Sequence, residues 1–271
     1  MKLHIEKNTV QETLVIPLYG RLICSEHYPD LLSDPNAERI CACLDYDFSR
    51  KRRLMETQAG LFGALEVAQR HYDLMWEVND YLSKHPRAAV VNLGCGLDDT
   101  FEKVDNGLCF GYNIDLEDVI AVRNQLLPAS EREVNIACDL NDDKWMDLID
   151  DHDGVVMFAT GVFYYFKKDD VETLFAKMAK RFKGGVLAFD TCNQKGAKMM
   201  MKTWLKEAGI TDVGAFFCVN DESELKKWNV SSKSYMRGYR DIYPRVNLIH
   251  KLLIKLCDSY VRMRIIRIEF Q

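Results

Sequence analysis

From residue 85 onward the chain alternates between short β-type runs and stretches that read as helix, and no other feature restricts its fold as strongly. The runs lie at 88–94 (AAVVNLG), 108–115 (LCFGYNID), 133–139 (EVNIACD), 154–160 (GVVMFAT) and 185–191 (GVLAFDT). Helix-like segments at 116–127, 141–150, 169–183 and 194–209 separate them or follow the last. Strands that are apolar almost throughout have no face suited to water, so the alternation predicts an α/β fold with a parallel sheet covered on both sides. The end of the chain departs from this rhythm. It reads as a strand near 214–219, an irregular helical region at 222–258, and a run, SYVRMRIIRIEF at 259–270, whose alternating middle predicts an antiparallel strand finishing the sheet. Ahead of the first strand, Leu65, Ala68, Tyr72, Met75, Val78 and Leu82 recur three or four apart and predict a long helix over 55–84. Six prolines, no low-complexity tract and no internal repeat leave no linker in view. The expected division is a helical segment, 1–84, followed by a sheet core, 85–271, that carries 222–258 as an insertion.

Composition narrows the class of protein. With 271 residues, 48% of them hydrophobic, a substantial core is possible. No apolar run reaches the roughly 18 residues of a membrane span, and MKLHIEKNTVQETL lacks the apolar stretch of a signal peptide, so a cytoplasmic location without membrane partners is expected. Nine cysteines without a CxxC pair read as buried thiols in a reducing compartment, and six scattered histidines without HExxH predict no transition-metal site. The net charge of −5 is uneven: 226–271 hold eleven Lys/Arg against Asp241, Asp258 and Glu269. These cations are interleaved with Leu, Ile, Val, Met and Tyr as in amphipathic elements, which favours a solvated face, or a positive wall for an anionic substrate, over a nucleic-acid surface.

One turn stands out as a ligand site. Open α/β sheets bind ligands beyond the carboxyl ends of their strands, at the switch point beside the first one. There VVNLGCGLDDT (90–100) places Gly94 and Gly96, with a short helix expected over 99–105. The dinucleotide fingerprint GxGxxG fails, because Leu97, Asp98 and Asp99 follow Gly96, and acids at the helix start suit a cationic ligand better than a pyrophosphate. The second strand ends at Asp115, 21 residues after Gly94, where an acid can accept hydrogen bonds from both ribose hydroxyls of an adenosyl ligand. The third ends in Asp139-Leu140, a carboxylate and a backbone amide suited to an adenine edge. Either acid alone reads equally well as a helix cap or turn residue. Together, the three strand ends at matching depth predict an adenosyl site.

These residues also carry a family resemblance. VVNLGCGLDDT, FEKVDNG and YNIDLEDVIAVRNQLLP, with ETLVIPLYGR at 12–21, SDPNA at 33–37, ACDLND at 137–142, GVFYYFKKDDV at 161–171 and LAFD at 187–190, resemble the leucine carboxyl methyltransferase family. The likeness is strongest to its bacterial branch of tetracenomycin-type polyketide O-methyltransferases. It implies a Rossmann-like class I methyltransferase sheet, S-adenosyl-L-methionine as cofactor with S-adenosyl-L-homocysteine as product, and methyl transfer to a carboxylate or phenolic oxygen of a small-molecule acceptor. Carried over by position, it implies cofactor contacts at Gly94, Gly96, Asp115, Asp139 and Leu140, at Arg70 for the methionine carboxylate, and at Arg21 as a basic residue nearby. On the acceptor side it implies Tyr165, with Tyr164 beside it.

The departures bear on function. Relatives commonly read LDTR after the glycines, where this chain has Leu97-Asp98-Asp99-Thr100; the acid-rich strand end is Asn113-Ile114-Asp115; and AEG becomes Ala159-Thr160-Gly161, with a hydroxyl that can still hydrogen-bond in place of an acid. Besides a small-molecule O-methyltransferase, a protein C-terminal leucine carboxyl methyltransferase and a non-catalytic cofactor-binding homologue fit this pattern. No Ser-His-Asp or paired-carboxylate signature is needed, because a carboxylate acceptor is ionised at neutral pH. Segments 9–50 and 222–258 are expected to form a lid, the latter through the Tyr/Arg-rich SKSYMRGYRDIYPR.

Overall fold

The computed structural model describes residues 2–5, 10–200, 217–234 and 236–271. Its centre is a seven-stranded sheet built from β3 (Ala89–Leu93), β4 (Phe110–Asp115), β5 (Glu133–Ala137), β6 (Val155–Ala159), β7 (Val186–Thr191), β8 (Asn229–Ser234) and β9 (Arg264–Glu269). The spatial order is β5-β4-β3-β6-β7-β9-β8. All neighbours from β5 to β7 are parallel, whereas β9 pairs antiparallel with both β7 and β8. A two-stranded pair, β1 (Leu3–His4) with β2 (Leu44–Asp45), lies apart.

Burial explains why the central strands were readable. Every residue of β3, β6 and β7 is buried, so those segments must be apolar on both faces, while the outer β5 and β8 are only partly covered. Successive residues face opposite sides. Val90, Val156, Ala188 and Ile265 join one apolar cluster with α1 (Val10–His27) and α4 (Gln58–Leu82), while Val91, Met157, Leu187 and Ile266 join the other with α7 (Lys168–Arg181).

The helices follow the expected spacing with shifted ends. Helix α4 starts at a true cap, Thr57, whose hydroxyl accepts from Gly60 N at 3.1 Å. Further helices are α2 (Pro35–Cys43), α3 (Ser49–Met55), α5 (Thr100–Val104), α6 (Glu117–Leu126), α8 (Gln194–Met200) and α9 (Leu248–Leu256). The segment expected as helix over 141–150 forms only a short 3₁₀ turn at Asp143–Leu148. The rest of the helix expected to reach 209, and residues 214–216 of the strand expected near 214–219, lie outside the described residues; 217–219 are not strand.

The C-terminal part differs more. The alternating run forms β9 as expected, but β9 sits inside the sheet, and the edge is closed by β8, from the region read as irregular helix. Ser231, Ser232 and Lys233 gave no apolar signal because an edge strand needs little burial; its backbone pairing with β9 holds it.

Candidate active site

A cavity of about 480 Å³ opens along the carboxyl ends of β3, β4, β5 and β6, within the range of small-molecule sites. Gly94, Gly96, Asp115, Asp139, Leu140, Thr160, Tyr165, Arg70 and Arg21 all line it. The chain leaves β3 for β4 and β5 on one side and returns to β6 on the other, so the ends of β3 and β6 diverge and create the crevice.

The glycine turn is fixed by its neighbours. Gly94 has φ +63°, and a Cβ there would stand 2.7 Å from Val162 Cγ2, so both its conformation and its surroundings require glycine. Gly96 N donates to Asp115 Oδ2 at 2.8 Å, and Leu116 N donates to Asp115 Oδ1 at 2.8 Å. Burial pushes the Asp115 carboxyl up from its ordinary value while these two N–H donors act to lower it. At the next strand end, Asp139 Oδ1 accepts from Asn141 N at 2.9 Å, and Leu140 is buried beside it.

Beneath the turn lies a buried charge cluster. Arg21 Nε is 3.2 Å from Asp34 Oδ2, its Nη1 is 3.2 Å from Asp99 Oδ1 and 3.7 Å from Asp98 Oδ2, and its Nη2 donates to Leu97 O at 3.0 Å. Lys103 Nζ approaches Asp99 Oδ1 at 2.8 Å and Asp34 Oδ2 at 3.4 Å, and His71 Nδ1 lies 2.9 Å from Asp98 Oδ2. Burial alone would raise both acids. For Asp98, His71 and Arg21 outweigh it, and for Asp99, Arg21 and Lys103 do, so both carboxyls are held below the usual carboxylate range. The acids of LDDT are therefore met by cations inside the protein, and the preference for a cationic ligand cannot rest on them. Asp34, His71 and Asp99 come within 4.8 Å of one another as a metal trio would, but Arg21 and Lys103 supply the positive charge there.

At the β6 end, Thr160 Oγ1 is buried without a hydrogen-bond partner among the described residues. Arg70 Nη1 donates to Asp190 Oδ2 at 3.1 Å, and Gly161 N donates to Asp190 Oδ1 at 2.6 Å. Asp190, the acid of LAFD at the end of β7, drew no role from the sequence, since an acid at a strand end is ordinary and its partner lies 120 positions away.

The two tyrosines part company. Tyr165 is 43% exposed along the cavity wall. Crowding by protein around its ring pushes the hydroxyl up from its ordinary value, with Arg70 acting against that shift. Tyr164 is 5% exposed and packs with Cys192 and Ala197, away from the cavity. Consecutive residues of the 3₁₀ turn Phe163–Tyr165 point in different directions, which is why FYYF could not separate them. Among the described residues, none of 222–258 lines the cavity. This stretch is used elsewhere: Tyr239 stacks on Trp76 of α4, and Arg240 donates to Leu31 O at 2.6 Å. From the N-terminal segment, Leu14, Pro17 and Leu18 of α1 do form a wall. All nine cysteines are free and most are buried; no described helix is long and apolar enough to cross a membrane.

Comparison with known proteins agrees with this geometry. A stretch of 191 residues is 27% identical to the tetracenomycin polyketide synthesis O-methyltransferase TcmP of Streptomyces glaucescens, covering 67% of this chain and 65% of that protein, so the chain spans just under two thirds of this relative. Among solved structures, a DUF574 family protein from Streptomyces avermitilis MA-4680 shares the fold at a TM-score of 0.60 with 11% identity, over 96% of this chain and 97% of that one. The plantazolicin methyltransferase BpumL in complex with SAH does so at 0.50 with 13% identity, over 96% and 99%. Residues 18–179, more than half the chain and including every strand end that lines the cavity, match leucine carboxyl methyltransferase, and the chain belongs to that family.

Proposed function

We propose that the protein is an S-adenosylmethionine-dependent O-methyltransferase that methylates a carboxylate or phenolic oxygen of a small-molecule acceptor. The observation that carries this reading is a single cavity bringing together the glycine turn, Asp115, Asp139-Leu140 and Thr160 from four strand ends. The residues fit an adenosyl cofactor. Each Asp115 oxygen accepts one backbone N–H and keeps a lone pair for a ribose hydroxyl, and Thr160, whose hydroxyl has no partner among the described residues, lines the same cavity. The activity named for the Streptomyces glaucescens relative supports the same reaction class.

When bound, the cofactor supplies a sulfonium methyl that is already electrophilic. The protein's own residues then hold the partners in line. Arg70 offers a guanidinium to the methionine carboxylate. Tyr165, whose hydroxyl is pushed above its ordinary value, stays protonated and serves as a hydrogen-bond donor to the acceptor oxygen, not as a base. A carboxylate acceptor, with a reference pKa of about 4, needs no base. Orientation within an apolar wall of Leu14, Pro17, Leu18 and Val67 can supply about 7–11 kcal/mol of barrier lowering. Helix α1 is the part of the N-terminal segment that acts as lid.

Isothermal titration with S-adenosylhomocysteine and with NADH tests the proposal. Binding of the former alone is expected. Binding of NADH, or of neither at micromolar protein, overturns it. Acceptor screens then compare aromatic and aliphatic carboxylic acids, phenols and a peptide ending in leucine.

A further inference from the structure

We infer that Asp190 is a positioning residue for the amino-acid end of the ligand, an inference that rests on the cofactor reading above. It does not itself line the cavity, and its side chain is 1% exposed. From behind the wall its two oxygens hold two groups that do: Oδ2 takes the Arg70 guanidinium from α4 at 3.1 Å, and Oδ1 takes the Gly161 N–H from the turn after β6 at 2.6 Å. One carboxylate therefore ties the α4 arginine to the turn after β6, two neighbouring parts of the wall.

Three further facts concentrate this role at one end of the site. Thr160, directly before Gly161, brings a buried hydroxyl with no partner among the described residues. A Cβ at Gly161, where φ is +70°, would stand 3.1 Å from Arg70 Nη1, so the guanidinium lies flat against the turn. The other cavity arginine, Arg21, is committed to Asp34, Asp98 and Asp99. Arg70 lines the cavity while paired with Asp190, and Asp190 fixes where the guanidinium stands when it meets a ligand carboxylate. A charge-assisted pair held at both ends keeps the long side chain from sampling other rotamers, which lowers the ordering cost when a carboxylate arrives.

The test uses two ligands that share the adenosine part and differ in the amino-acid part: S-adenosylhomocysteine and 5′-methylthioadenosine, titrated calorimetrically into the full-length protein. Asp190→Asn keeps the shape and an acceptor for Gly161 but turns an amide toward Arg70. It is expected to weaken S-adenosylhomocysteine at least tenfold and to leave 5′-methylthioadenosine within twofold. In an Arg70→Gln background the same change is expected to cost nothing more. Equal loss of both ligands would show a merely structural residue, and no loss of either would show an idle one; both overturn the inference. Should Asp190→Asn fail to fold, Gly161→Ala, which crowds Arg70 from the other side, is expected to give the same ligand-selective loss, and an unselective loss overturns the inference. If the wild-type protein binds neither ligand, it is the cofactor reading that has failed.

Discussion

Asp115 is the residue on which most of the adenosyl reading turns. Its replacement by alanine removes acceptors for two hydroxyls and also frees Gly96 N, so S-adenosylhomocysteine binding is expected to weaken by about 1.5–3 kcal/mol, the scale for hydrogen bonds to a charged group. Calorimetry reads this directly, and unchanged affinity would remove Asp115 from the site. Tyr165→Phe is expected to leave that affinity intact and to slow methyl transfer once an acceptor is known, because only the donor to the acceptor oxygen is lost. Gly94, Gly96, Asp115 and Asp139-Leu140 were legible because each sits at a strand end whose position follows from the apolar run before it. Asp190 and Lys103 were not, since their significance comes from partners brought close by folding: Arg70 for the first, Asp34 and Asp99 for the second.

Among the elements, α1, α2, α4, α5 and the glycine turn meet in the Arg21 cluster. Removing the guanidinium by Arg21→Ala leaves three buried carboxylates with only Lys103 and His71 beside them, and breaking such a buried pair typically costs about 3–5 kcal/mol. A fall of roughly 10 °C in Tm at pH 7 is expected, read by thermal denaturation. The pH dependence has a definite sign. Asp98 and Asp99 hold protons less readily folded than unfolded, so their contribution is complete above the ordinary carboxylate value near about 4 and disappears as pH falls through the lower folded values. The gap between wild type and Arg21→Ala is therefore expected to narrow as pH drops below about 4; a constant gap would mean the cluster does not carry the stability. Glu66 runs the other way. Burial pushes it up to about 7, so its protonated form is favoured by folding and stability is lost as pH rises from its ordinary value toward 7. Glu66→Gln is expected to raise Tm at pH 8 relative to wild type and to do little at pH 4.

For the molecule as a whole, legibility followed burial. The central strands β3, β6 and β7 are covered on both faces and read as unbroken apolar runs, while β8, with Val230 as its one apolar residue, left no trace. The alternating run at the end revealed a strand but not its place, because whether β9 ends the sheet or sits within it depends on β8. Its position carries weight: Ile265, Ile266 and Ile268 are buried, with the first in one apolar cluster and the latter pair in the other. Deleting residues 264–271 is expected to abolish the cooperative thermal transition, not merely to lower its midpoint.

That same placement of β9 couples folding to time. The edge of Val186–Thr191 receives its second partner only when Arg264–Glu269 has been made, 78 residues after Thr191. At the usual about 5–20 residues per second of synthesis, that edge waits roughly 4–16 seconds with its N–H and C=O groups unpaired. A strand inserted last between two earlier ones thus makes the pace of the ribosome part of the folding problem, and slow codons between β7 and β9 lengthen the interval in which nascent chains can pair with one another.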